Sequence, residues 1–259
     1  MKGRDVRAAL RAGQRVYSSA VVAASPMWPG VFQQAGASFA FIDSEHTPLN
    51  RETLAWMCHA FVAAGVPPVV RIPSAEATQA AMVLDGGAVG FIAPYLETVE
   101  QARELTAVAR FRPLKGKRVQ QALDDPNSLE PQLLDYLSRE NADTIFIANI
   151  ESTPAIERLD DILAASDIDA LLIGPHDLSC SLGIPEQYDH PQFDEAVAEI
   201  FSVGRKHNVG VGIHFWGDID REIDWIKRHQ GNLIVHAADV SLFGAALKSD
   251  LDTIRAAIK

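Results

Sequence analysis

Cysteine, long apolar runs and positive charge are all scarce in this chain. Two cysteines in 259 residues, Cys58 and Cys180, cannot supply a disulfide framework and fit buried or idle thiols in a reducing compartment. No uncharged apolar stretch reaches about 18 residues, so no membrane-spanning segment is expected. Lys and Arg number 23 against 34 Asp and Glu, a formal charge of −11. Nucleic acid and anionic membranes both demand concentrated positive surface, so neither is an expected partner. The opening residues MKGRDVRAALRAGQRV are basic and amphipathic, but no apolar run of the signal-peptide kind follows them, and a cytoplasmic protein is expected.

Several catalytic fingerprints are missing as well. No GxSxG elbow, Walker A loop or GxGxxG follows a candidate strand, which removes the usual hydrolase, NTPase and dinucleotide signatures. The lysines, Lys2, Lys115, Lys117, Lys206, Lys227, Lys248 and Lys259, all lie outside the candidate strands. A Schiff-base enzyme needs a desolvated amine in its pocket, so that chemistry is disfavoured.

What is present is a repeated short apolar run ending in one polar group. FAFIDSEH ends at His46, PVVRIP at Arg71, TIFIANIE at Glu151, ALLIGPHD at Asp177 and VGVGIH at His214. Strand candidates fall at Val16 to Val22, Phe39 to Asp43, Pro68 to Ile72, Gly90 to Ala93, Thr144 to Ile150, Ala170 to Ile173, Val209 to Ile213 and Leu233 to His236. Helical patterns separate most of them, at Arg51 to Ala64, Thr98 to Arg110, Pro154 to Ala165, Gln192 to His207, Asp218 to His229 and Leu242 to Ile258, several with a capping residue in front, such as Asn50 and Thr98. Alternating strands and helices imply parallel pairing with both sheet faces covered, and eight strands favour a single (β/α)₈ TIM barrel over an open doubly wound sheet. One irregular excursion, Phe111 to Glu130, reads as a lid or a subunit contact.

In such a barrel the strand ends at the C-terminal face hold the active site. Glu151 and Asp177 then stand side by side, and two carboxylates suit a hard divalent cation such as Mg²⁺ or Mn²⁺. Glu151 as a cap for the following helix is the open alternative. Arg71 offers a rigid fork for carboxylate or keto oxygens, or else pairs structurally with Asp43 or Asp85. In DSEH, His46 can shuttle a proton near neutrality with Asp43 or Glu45 orienting its ring. His176, His214 and His236 also fall near strand ends without the paired spacing of a zinc site, and Phe215 and Trp216 read as an apolar pocket wall.

Taken in order, FIDSEHTPLN, PVVRIP, LDGGAVGFIAPYLETVEQARE, IFIANIES and LLIGPHDLSCSLG resemble the HpcH/HpaI aldolase and citrate lyase β-subunit family, and in particular its metal-dependent (class II) aldolases of 2-oxo-3-deoxy acids such as 4-hydroxy-2-oxoheptanedioate. The resemblance implies a barrel of the phosphoenolpyruvate/pyruvate type that cleaves a 4-hydroxy-2-oxo acid to pyruvate and an aldehyde. It assigns the metal to Glu151 and Asp177, the keto oxygen to Arg71, and proton movement to His46 oriented by Asp43. The backbone of Gly174, Pro175, His176 and Asp177 would cradle the pyruvate carboxylate, with Asn149 beside it, and Asp85 would contribute across a subunit contact. A homo-oligomer, trimer or hexamer, is implied, with the C-terminal helix exchanged between subunits. The chain departs from the family pattern at Asn149 and His176, and its KGKRVQQALDD lacks the usual Gly-rich arginine run. Two other readings belong to the same resemblance: a CoA-thioester lyase of the citrate or malyl-CoA kind, whose phosphates would need the cluster Lys115, Lys117 and Arg118, and a non-catalytic pyruvate-binding barrel.

Overall fold

A computed structural model of the chain describes residues 1–258; Lys259, the last of the lysines above, lies outside the described residues. Eight parallel strands, β1 (Val16–Val21), β2 (Ala40–Asp43), β3 (Pro68–Arg71), β4 (Gly90–Ala93), β5 (Ile145–Ile150), β6 (Ala170–Ile173), β7 (Gly210–Phe215) and β8 (Leu233–Ala238), close in sequence order into a barrel, β8 pairing with β1. Thirteen helices accompany them: α1 (Gly3–Arg11), α2 (Trp28–Ala35), α3 (Arg51–Ala63), α4 (Ala77–Asp85), α5 (Val99–Arg110), α6 (Gly116–Asp124), α7 (Pro131–Glu140), α8 (Thr153–Glu157), α9 (Leu159–Ala164), α10 (Pro175–Ser181), α11 (Pro191–Lys206), α12 (Ile219–His229) and α13 (Asp239–Ala257). The expected (β/α)₈ barrel is the observed fold.

Side chains alternate across each strand, and the two faces bury different partners. Phe39, Phe41, Val69, Ile92, Ile145, Ile147, Leu172, Leu233 and Val235 point inward and fill the barrel. Ile42, Val70, Phe91, Phe146, Leu171, Ile173, Val211 and Ile213 point outward against the helices. Each fully buried aliphatic or aromatic side chain contributes roughly 1.5–3 kcal/mol, which explains why the strands read as unbroken apolar runs.

The opening segment, read first for a targeting signal, is α1. Its Val6, Ala9 and Leu10 join the interior cluster, so the helix plugs the N-terminal end of the barrel. Beneath it the fully buried Asp169 accepts from Arg7 and Arg11 at 3.0 Å, Arg110 at 2.7 Å and the Phe146 amide at 2.9 Å. A buried carboxylate needs such partners, and these fasten α1 and α5 to the starts of β5 and β6.

The excursion Phe111 to Glu130 is not irregular: it holds α6 and a 3₁₀ turn at Pro126–Ser128. It leaves from Arg110, which binds Thr144 O and Asp169 at the N-terminal end of the barrel, and Ala122, Leu129 and Leu137 give it a small core of its own. Its root is therefore opposite the C-terminal strand ends, which removes the lid reading. The segment expected as one helix from Pro154 to Ala165 is broken at Arg158 into α8 and α9.

The last helix departs from the usual arrangement. Asp239 holds its first turn, accepting from the amides of Val22 and Ala23 at 3.1 Å and of Val240 at 2.8 Å. Beyond Ser241 every described residue of α13 is exposed, including Phe243, Leu247, Leu251 and Ile254. The outer side of β8 and β1 is left as an apolar groove of about 380 Å³ lined by Tyr17, Ile219, Ile223, Ile226, Ile234 and His236.

Candidate active site

The inward rows of the barrel do not stay apolar to their ends. Stepping by two, Phe39 and Phe41 lead to Asp43, Val69 to Arg71, Ile145 and Ile147 to Asn149 and then Glu151, and Gly212 to His214. The same alternation that builds the core thus carries these groups into the C-terminal mouth, where a cavity of about 520 Å³ is lined by His46, Arg71, Asn149, Glu151, Gly174, Asp177 and His214, among others.

Neighbouring positions in the β2–β3 register place Asp43 beside Arg71. The guanidinium donates to both oxygens of Asp43, at 2.9 and 2.7 Å, and stands 3.1 Å from Glu45 Oε2. Burial opposes the charge on Arg71, but the paired Asp43 outweighs it and raises the Arg71 pKa further. Burial likewise works against Asp43, and the guanidinium overcomes it, holding the carboxyl below its ordinary range. Asp43 therefore clamps Arg71 rather than orienting His46; only the His46 backbone amide reaches Asp43, at 3.4 Å. The His46 ring faces Glu45, 3.6 Å away, and is two-thirds exposed at the mouth.

Glu151 is buried at the end of β5, accepting from the Tyr95 amide at 2.9 Å and from Asn149 Nδ2 at 2.7 Å. Burial, followed by the negative charge of Asp177, pushes its pKa up to about 7 against those two hydrogen bonds. The Tyr95 hydroxyl donates to Asp177 Oδ1 at 2.9 Å, so one residue braces both carboxylates. Gly174 has no side chain where one would collide with Glu151 Oε2, which lets the turn from β6 into α10 close over that carboxylate. Glu151 thus does not cap α8: Ser152 stands at that position, its hydroxyl donating to Glu97.

His214 lies inside β7, one strand residue short of the end, its Nε2 3.1 Å from Ala237 O and its ring edge-on to Phe41. Burial pushes its pKa down to about 4, so it is a neutral imidazole in the pocket floor. His236 points outward instead, Nδ1 2.5 Å from Glu222. His176 lies on the rim, 3.5 Å from Glu186. Asp85 ends α4 on the outer layer, largely exposed, 3.9 Å from Arg112 at the root of the excursion. A helix that follows a strand runs back toward the strand origins, so Asp85 cannot reach the site of its own chain. Of the two thiols, both free, Cys58 is buried, with its pKa raised by burial to about 12, whereas Cys180 is exposed on α10.

Tyr95 escaped the sequence reading. It follows Pro94 after β4 and acts through its backbone amide and its hydroxyl, both placed by a left-handed φ of 46°, a conformation uncommon outside glycine. Glu45, read only as a partner for His46, proves to be a second anion on Arg71.

Three carboxylates, Asp43, Glu45 and Glu151, thus act on one guanidinium, and Asp177 adds a fourth negative charge beside Glu45 and Glu151. The excess is negative, Glu151 tends to retain a proton, and the buried Asn149 Oδ1 has no hydrogen-bond partner. All these donors are hard oxygens, so the residues fit a divalent cation. Among the described residues no group of three or more His, Cys, Asp or Glu is placed to hold a metal ion, so the carboxylates available to a cation here are the pair Glu151 and Asp177.

The profile of the HpcH/HpaI aldolase/citrate lyase family matches residues 21–240. The chain belongs to this family. It is 28% identical over 253 residues to a protein of Salmonella paratyphi C (strain RKS4594) named 5-keto-4-deoxy-D-glucarate aldolase, with 96% of each chain covered. A solved HpcH/HpaI aldolase/citrate lyase family protein from Burkholderia cenocepacia J2315 superposes with a TM-score of 0.83 at 27% identity, covering 97% of this chain and 99% of its own. A solved citrate synthase, SbnG, matches with a TM-score of 0.81 at 29% identity over 96% of this chain and 97% of its own. In this HpcH/HpaI family member the acids and Arg71 occupy the strand ends at which barrel enzymes carry their chemistry.

Proposed function

We propose that the chain is a divalent-metal-dependent aldolase, cleaving a 4-hydroxy-2-oxo acid reversibly to pyruvate and an aldehyde. The observation that carries the reading is the surplus of carboxylate over guanidinium around Glu151 and Asp177 at the barrel mouth. Those two residues would hold Mg²⁺, Mn²⁺ or Co²⁺, a Lewis acid that supplies charge stabilisation at the 2-oxo group. Arg71, kept charged and immobile by Asp43, directs its remaining N–H groups at the same oxygen. A preorganised donor of this kind is worth on the order of 3 kcal/mol where negative charge develops.

In the cleavage the C4 hydroxyl gives up its proton and C4 becomes the aldehyde carbon. The C3–C4 bond breaks, its electron pair stays on C3, and C3 takes up a proton to become the pyruvate methyl. His46, exposed at the mouth and paired with Glu45, is placed to carry one of these protons. Gly174, Pro175 and His176 line the cavity beside Asp177 and form the seat for the pyruvate carboxylate. A CoA-thioester lyase is less well supported, because Lys115, Lys117 and Arg118 belong to the excursion and none lines the cavity. Release of pyruvate from a panel of 4-hydroxy-2-oxo acids, both dicarboxylic ones such as 4-hydroxy-2-oxoheptanedioate and monocarboxylic 2-oxo-3-deoxy sugar acids, followed by coupled NADH oxidation, tests the proposal: it should require Mg²⁺, Mn²⁺ or Co²⁺ and stop with EDTA. No release from any such acid would contradict it.

The same proposal includes a cytoplasmic homo-oligomer, trimer or hexamer, in which α13 packs on a second copy. A 19-residue helix whose apolar side chains find nothing in their own chain, and a bare apolar groove at β8 and β1, support the exchange. Asp85 contributes to a site only through such a neighbour.

A further inference from the structure

Around the carboxylate pair the cavity is walled by His176, Glu186, Tyr188 and Trp216. Trp216 is half exposed, its ring 5.4 Å from that of His214. Glu186 is held at the rim by its backbone: its amide donates to Ser179 Oγ at 3.0 Å, and that hydroxyl donates to His176 O at 2.7 Å. The residue adopts a left-handed φ of 58°, and its carboxylate stands 3.5 Å from His176 Nδ1. Tyr188 packs edge-on against Phe193 and Phe215.

Among the described residues Arg71 is the one Lys or Arg that lines this cavity, and Asp43 and Glu45 already hold it. Arg221, over the Tyr188 ring at 6.0 Å, is paired with Asp189 at 2.9 Å. One end of the substrate, the 2-oxo acid, has Arg71 and the proposed cation to receive it. The other end meets a carboxylate, an imidazole and an indole face, and among this chain's described residues no Lys or Arg lining the cavity is free to receive a second carboxylate.

Resting on the aldolase reading, we infer that the acceptor aldehyde is uncharged and hydroxylated, so that the acid cleaved is a monocarboxylic 2-oxo-3-deoxy sugar acid rather than a dicarboxylic one. Glu186 accepts from the aldehyde's hydroxyl groups, His176 adds a second polar contact, and the Trp216 face takes the C–H side of the chain, the usual division of labour between aromatic walls and a few polar groups in a small-molecule site. A carboxylate on the acceptor would lie against Glu186, and like charges held together are disfavoured.

The test runs the metal-loaded enzyme in the condensation direction, with pyruvate and either glycolaldehyde or D-glyceraldehyde on one side and glyoxylate or succinic semialdehyde on the other. The neutral hydroxyaldehydes should have a kcat/KM at least about tenfold higher, and Glu186→Gln should narrow that ratio several-fold by improving the anionic acceptors. Anionic acceptors that match or exceed the neutral ones, or a ratio unmoved by Glu186→Gln, would overturn the inference. Deuterium uptake by pyruvate alone separates the two levels: uptake with an anionic preference sinks only the acceptor assignment, while no uptake with any of the metals sinks the aldolase reading and the assignment with it.

Discussion

His214 and Glu151 titrate in opposite senses within one pocket. Burial lowers His214 to about 4 from its ordinary 6.5. Between those values the unfolded chain binds a proton that the folded chain refuses, so stability is lost as pH falls from about 6.5 toward 4, by roughly 3 kcal/mol at most. Glu151, raised by burial to about 7 from 4.5, retains a proton in the fold that the unfolded chain has released, and the metal-free protein loses stability as pH rises through that window. The two slopes offset one another in the wild type. In His214→Phe only the Glu151 slope remains: urea unfolding at pH 5 and 7.5 in EDTA should show the variant more stable at pH 5 relative to pH 7.5 than the wild type. Equal pH dependence in both proteins would refute the buried neutral imidazole.

At the same scale the sequence exposed most of the site, because period-two alternation fixes which residues of an apolar strand face inward. Arg71, Glu151 and His214 follow from it, and Asp177 from its place just after a strand. Tyr95 does not, since its amide reaches Glu151 and its hydroxyl reaches Asp177 from a left-handed turn that no hydropathy pattern encodes. The Asp43 role depends on side-chain choice: a carboxylate beside both an arginine and a histidine satisfied the charge that is permanent.

At the scale of elements, the turn from β6 into α10 is the piece that positions the carboxylate pair. Gly174→Ala introduces a methyl against Glu151 Oε2 and displaces the carboxylate or the turn. Divalent-cation affinity should fall by about 10–100-fold, the range for disturbing the support of a metal ligand, as read by calorimetric titration with Mn²⁺. An unchanged affinity would separate this turn from the cation. Strand positions were legible to within about two residues because burial on both faces gives compact apolar runs with little ambiguity. Helices α2, α4 and α6 were not, being short, rich in small or polar residues and dependent on packing against the barrel for their stability. The fate of Asp85 shows the cost: without α4 in place, the end of the barrel on which that residue falls cannot be read.

At the scale of the whole molecule, the barrel is complete in one chain but its coat of helices is not. Ending the chain at Ser241 keeps β8 and the Asp239 contacts while removing the exposed part of α13. If α13 is exchanged as proposed, light scattering should then show a smaller particle than the full chain forms, and the thermal midpoint should drop as the apolar groove at β8 and β1 is left bare. A particle of unchanged subunit number would contradict the exchange of α13.

A cation at Glu151 and Asp177, together with Arg71, is proposed to stabilise the enolate of pyruvate, a step that can be followed without knowing the aldehyde. Pyruvate incubated with the protein in heavy water, followed by proton NMR of its methyl group, measures that step alone. Deuterium should enter the methyl group with Mg²⁺, Mn²⁺ or Co²⁺, and uptake should cease on chelation and be lost in Glu151→Gln. Uptake that ignores chelation, or none with any of these metals, would contradict the proposal.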